Sequence, residues 1–137
     1  MMRLIVALLV LVCAWPSHAA TQFITSTDDG NTYYIDLSTR VVSGRFVRVE
    51  ELRNFDDPHS GGKGAYSSQV WDSEYDCGRK MLRWHKVTTY RSAFGMGPII
   101  SSKQYLSEWF PIKDGSIGKS LLAAACTKRW RSHFSTR

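Results

Sequence analysis

The chain has 137 residues, with 18 Lys and Arg against 12 Asp and Glu, for a formal net charge of +6 at pH 7. That length, with no second composition regime, long linker or internal repeat, is enough for one domain with a single modest core. The basic balance favours acidic partners without choosing among lipid head groups, polysaccharide, nucleic acid and acidic proteins.

The opening "MMRLIVALLVLVCAWPSHAA" sets Arg3 ahead of an apolar run from Leu4 to Trp15, closed by Pro16 and small residues. This is the layout of a signal peptide, with Ser17 and Ala19 placed for cleavage after Ala19 and Ala20 as the near alternative. A membrane anchor would need roughly 18 to 20 apolar residues, more than this run supplies. A lipoprotein signal built on Cys13 fails because Val12 is bulky and Cys13 lies inside the apolar run. The expected division is therefore a signal peptide over 1–19, a domain over 20–127 and a basic aromatic tail over 128–137. About 118 residues and a charge of about +5 remain after cleavage, and the product is exported, to the periplasm or the cell surface.

Along the mature chain, "TQFITS" (Thr21–Ser26) predicts a short strand and "DDGN" a reversal. In "TYYIDL", Tyr33, Ile35 and Leu37 share one face and Thr32, Tyr34 and Asp36 the other. "GRFVRVEELRNF" predicts a third strand whose alternation slips near Glu50 and Glu51, where a bulge would reset the register. "DDPHSGGKGA" reads as a mobile surface loop.

"YSSQVWDSEYDC" predicts a fourth strand, with Gln69, Trp71, Ser73, Tyr75 and Cys77 on one side and Val70, Asp72, Glu74 and Asp76 on the other. After a reversal at Gly78 and Arg79, "KMLRWHKVTTY" forms a fifth strand in which Leu82, Trp84, Thr88 and Tyr90 align. Short strands follow at Pro98–Ser102 and around Trp109–Ile112. The period then changes: Ser116 caps a helix whose Ile117, Leu121 and Ala125 recur every fourth residue, with Leu122 and Cys126 beside them.

With Cys13 removed, two cysteines remain in a chain bound for an oxidising compartment, and a Cys77–Cys126 disulfide follows. Two buried free thiols are the alternative. Closing a loop of about 50 residues stabilises a chain by roughly 4 kcal/mol in the entropy model. One cysteine on the aromatic face of a strand and another on the apolar stripe of a helix aim at the same layer. The fold class is α+β, an antiparallel sheet with a helix across one face.

No CxxC, HExxH or paired histidine occurs, so neither a metal nor a cofactor is expected. His59, His85 and His133 fall in a loop, a strand and the tail. "DGSIG" opens a helix and lacks the GxSxG arrangement, and the glycines form neither a phosphate loop nor a dinucleotide turn. The protein is read as non-enzymatic. Glu74 and Asp76, opposite Arg79 or Arg83, read as an exposed cross-strand charge pair, and Trp71, Tyr75, Trp84 and Tyr90 as core beneath the helix.

The residues "EYDC", "LRWHKVTTY", "EWFPIKDGS" and "SLLAAAC", with "YYIDLSTR" near the start, resemble the Surface-adhesin protein E family of small exported bacterial proteins. The resemblance covers Thr21 to Cys126, and its most specific elements are the ordered Cys77 and Cys126 with Trp109 and Ser116 between them. It implies a twisted sheet of about six strands with a C-terminal helix tied by the disulfide. It also implies attachment to host extracellular-matrix, serum or envelope proteins, in a family widespread among Gram-negative bacteria; a homodimer is compatible with this. The rival partner class is anionic lipid or polysaccharide, held by Lys128, Arg129, Trp130, Arg131 and Arg137 of the tail, with no specific nucleic acid.

Overall fold

The computed structural model describes residues 21–127. The leader with its cut after Ala19, and the basic tail, lie outside the described residues. Strands β1 (Thr21–Ser26), β2 (Thr32–Ser43), β3 (Phe46–Gly61), β4 (Gly64–Asp76), β5 (Met81–Tyr90) and β6 (Ile99–Gln104) form one antiparallel sheet in that order. The two-residue β7 (Phe110–Pro111) also joins β5. It meets Met81 and Leu82 while β6 runs beside Lys86–Tyr90, so two strands share one edge of β5. Helix α1 (Ile117–Ala125) lies over one face, nearest β1 and β2.

Local chemistry explains the boundaries. The β1–β2 reversal needs Gly30, whose φ is +84° and where a Cβ would press to 2.8 Å from Cγ of Asp56. The Ser116 side chain caps α1 by accepting the Lys119 amide at 3.2 Å, and Cys126 closes its other end. Ile35, Val47, Val49, Tyr75 and Leu82 from the sheet meet Leu121, Leu122 and Ala125 from the helix in one buried layer. The Cys77–Cys126 disulfide, with Cα atoms 5.8 Å apart, pins the helix end to the turn after β4. Arg40 on β2 adds a second tie, its Nε donating to the carbonyl of Ala125 at 2.7 Å.

Three expectations are corrected. The alternation of β3 does not slip at Glu50 and Glu51, and pairing with β4 runs unbroken from Phe46 to Asn54; the irregularity opposite Glu50 lies in β2, between Asp36 and Val41, and the shift against β4 falls between Asn54 and His59. Val47, Val49 and Glu51 all face the helix, because the hydroxyl of Tyr75 donates to Oε1 of Glu51 inside the core.

The stretch "DDPHSGGKGA" is no loop. It lies within a hairpin arm in which β3 continues to Gly61 and β4 starts at Gly64, and Phe55, His59 and Tyr66 pack ring to ring. The third correction concerns β5, where Ser73 faces Trp84 but Asp72 faces Lys86, leaving His85 as the extra residue of a bulge. Leu82 and Trp84 therefore share their face with Val87 and Thr89, and Thr88 and Tyr90 turn to the opposite one.

Candidate functional site

Because one helix covers only one face, the other face of the sheet carries its own surface. On it Phe23 of β1, Tyr34 of β2 and Phe94 form an edge-to-face row, with centroids 5.6 and 5.7 Å apart. Phe23, Phe94 and Met96 are 53%, 57% and 65% exposed, too much for side chains placed there to stabilise the fold by burial.

Phe94 is held in place at a cost. It lies in a single 3-10 turn (Ala93–Gly95) with φ at +58°, a left-handed conformation that an aromatic residue rarely adopts. Two buried side chains hold it. Oδ1 of Asn54 accepts the Phe94 amide at 2.7 Å, and Oγ of Ser68 accepts the Gly95 amide at 2.9 Å while donating to the Ser92 carbonyl at 2.6 Å. Asn54 and Ser68 are 7% and 0% exposed, so these bonds are shielded from water and firmly directed.

Beside Phe94 a hollow of about 160 Å³ is lined by Leu52 and Val70 and by the acidic Asp36 and Glu50. Burial, and then the charges of Asp72 and Asp36, hold the Glu50 carboxyl above its usual range. This face thus sets exposed aromatic side chains beside two carboxylates, Asp36 and Glu50, with Lys86 acting on Glu50 from nearby.

Further along the same face the charges are neutralised. Glu74 receives Arg83 Nε at 2.7 Å and lies 2.6 Å from His85 Nε2, and Arg83 stacks over Trp109 at 4.5 Å. Burial alone would raise the Glu74 pKa, but the bonds to Arg83 and His85 outweigh it and hold the carboxyl below its usual value. Arg48 and Asp72 form a two-pronged pair at 2.8 and 2.6 Å. Asp76 departs from the expected exposed pair: it is 3% exposed, accepts the amides of Gly78 and Arg79, and pairs with Arg45 at 3.1 Å. Its role is to fasten the turn that carries Cys77.

On the helix side, a cleft of about 320 Å³ opens between α1, β7 and the sheet. Its floor holds Glu51 and Arg53, and the Arg53 guanidinium lies over Trp71 at 4.3 Å. Trp84 stands between Trp71 and Phe110, at 4.8 and 4.7 Å. The expected aromatic core therefore divides. Tyr75 is fully buried, Trp84 and Trp71 are half-buried around Arg53, and Tyr90 lies on the uncovered face.

The two cysteines singled out by sequence are joined. His59 and His85 are far from shared ligation, one on the hairpin arm and one against Glu74, and His133 lies outside the described residues. Among the described residues no group of three or more His, Cys, Asp or Glu is placed to hold a metal ion. No helix among them is long and apolar enough to cross a membrane. Lys128, Arg129, Trp130, Arg131 and Arg137 lie outside the described residues. Sequence reasoning missed Phe94, Asn54 and Ser68; the only local signal was "FGMGP", whose glycines flag irregular backbone.

The family model for Surface-adhesin protein E matches residues 22–127. Among solved structures, crystal form II of Haemophilus influenzae protein E superposes with a TM-score of 0.61 at 18% identity, covering 76% of this chain and 86% of that one. Protein E from non-typeable Haemophilus influenzae gives 0.60 at 16% identity, covering 81% and 79%. At these identities the likeness is one of fold. No curated protein matches the chain.

Proposed function

The chain belongs to the Surface-adhesin protein E family, and on that premise we propose that it is an exported, non-enzymatic binding module whose uncovered sheet face docks a protein of the extracellular matrix or cell envelope. The observation that carries this reading is the display of Phe94: a left-handed aromatic, more than half exposed, held by the buried Asn54 and Ser68. Backbone strain retained under an exposed apolar side chain is what a binding anchor requires, because the ring is ordered before the partner arrives. The partner segment presents apolar side chains to Phe23, Phe94 and Met96 and a Lys or Arg to Asp36 and Glu50.

The test uses the mature protein on an immobilised basement-membrane protein gel and, separately, on vesicles containing anionic lipid, each at low and high salt. A packed protein interface is retained on the gel as salt rises and loses retention in the Phe94→Gly variant. Binding only to vesicles, collapsing with salt and abolished by deleting Lys128–Arg137, would replace this reading with polyanion binding through the tail. Protease added to intact native cells supplies the second arm: a surface binding protein is degraded, and a fully protected pool removes the extracellular partner.

A further inference from the structure

The cleft under α1 lies on the opposite side of the sheet from Phe94 and has its own chemistry. Its volume of about 320 Å³ is at the lower end of the range of roughly 300 to 1,000 Å³ that small-ligand sites occupy. Leu82, Phe110, Ile112 and Ile117 form apolar walls.

Polar groups meet the cleft at two levels. At the mouth, Ile117 and Gly118 open the helix, where amides have no acceptor within the helix and the dipole favours an anion, and exposed Lys113 stands on the rim. At the floor, Glu51 is 1% exposed; its Oε2 makes no hydrogen bond of ordinary geometry, although the Ser73 hydroxyl is near enough to act on the carboxyl. Nε of Arg53 and Nε1 of Trp84 are likewise without an acceptor among the described residues. The site thus offers donors at both levels and one deep acceptor between apolar walls.

We infer that this cleft is a receptor for a peptide C-terminus ending in an apolar residue. The terminal carboxylate meets the Ile117 and Gly118 amides and Lys113, the apolar side chain lies against Leu82, Phe110 and Ile112, and the terminal residue's N–H donates toward Glu51. A carboxylate bears one charge and is joined directly to an amide N–H and a side chain, which is the combination these groups match. A phosphate would bring a second negative charge and no apolar body. The positive charge of Arg53 acts on Glu51 from nearby, so the floor opposes an anion less than an isolated carboxylate would.

Nitrogen-15 NMR of the mature protein tests this with acetyl-Gly-Gly-Leu as the free acid and as the C-terminal amide. The expected result is saturable movement of the Trp84 indole and Ile117 and Gly118 amide signals by the acid, with binding at least about tenfold weaker for the amide. Gly118→Leu fills the mouth without straining the helix, since a Cβ there meets only Ile112 and Ser116 at 3.5 and 3.6 Å. That variant keeps the dispersed spectrum of the folded protein and loses the acid-induced shifts. Equal response to acid and amide, no response to either, or shifts that persist in folded Gly118→Leu would each overturn the assignment.

Discussion

The hydroxyl of Tyr75 on β4 donates to the carboxyl of Glu51 on β3 in the layer where the helix meets the sheet, and neither residue is more than 1% exposed. Trp71, not Tyr75, is the direct cross-strand partner of Glu51, so the bond runs diagonally along the helix-facing surface. Tyr75→Phe leaves the buried Oε1 without its donor. The expected loss is about 1 to 3 kcal/mol, read from urea unfolding, with an unchanged m-value. A loss within about 0.3 kcal/mol would mean that the carboxyl finds another donor at no cost.

Glu51 also sets a pH dependence. Burial raises its folded-state pKa, outweighing the Tyr75 hydroxyl and the charge of Arg53, so the folded protein binds this proton more tightly than the unfolded chain. The Glu51 contribution to stability is therefore fully present below the unfolded pKa and is lost as pH rises through the folded one. Glu51→Gln, which carries no titrating proton, flattens this decline in unfolding free energy measured across mildly acidic to neutral pH. An unchanged slope would assign the decline to other groups.

Glu74 acts with the opposite sign. Its folded-state pKa is lowered by the bonds to Arg83 and His85, which overcome the effect of burial, so its stabilisation is present above the unfolded pKa and disappears as pH falls through the folded value. Glu74→Gln weakens the protein at neutral pH, by about 1 kcal/mol for a partly shielded pair, and matches it at low pH. Convergence of the two curves in acid is the diagnostic; a gap that persists there would point to packing.

Replacing Cys77 and Cys126 together by alanine opens a link with a sequence separation of 49. The expected cost is about 4 kcal/mol, a large share of the stability of so small a domain, and it appears mainly as an earlier unfolding midpoint. Alkylation of the unreduced wild-type protein followed by intact mass should show no uptake at these two positions.

Phe94→Gly separates stability from binding. Glycine adopts a φ of +58° without the side-chain clash, and the ring it removes is 57% exposed. Thermal unfolding should place the variant within about 0.5 kcal/mol of wild type, whereas truncating a buried phenylalanine costs about 3 to 5 kcal/mol. Retention on the protein gel should fall despite the intact fold. Asn54→Ala, which frees the Phe94 amide, should weaken retention with the ring still present.

The strands were legible where period and burial agree. Thr21–Ser26 was read to the residue because turn-forming residues follow it at once, and Ser116 was recognisable because its cap is made three residues away. Glu51 was misread because a glutamate in an alternating strand signals water unless a donor waits in the core. Its donor, Tyr75, lies 24 residues further on, beyond any local window. The His85 bulge is likewise a property of pairing with β4 and cannot be seen in β5 alone.

The hairpin arm was hidden by Asp, Pro and Gly, residues that favour turns but also tolerate an exposed bulged ladder. Phe94 was the hardest to read: its conformation depends on Asn54 and Ser68, 40 and 27 residues from the amides they receive.

The order of the strands has a further consequence for how the chain acquires its shape. From β1 to β6 every strand pairs with its immediate predecessor, so each pairing joins segments that are neighbours in the chain. The last helix must instead reach back to β1 and β2, and the formed sheet is what brings Cys126 to Cys77 across a separation of 49 residues. The covalent bond therefore seals an arrangement that the meander has already selected, and oxidation should come late, after the sheet has formed.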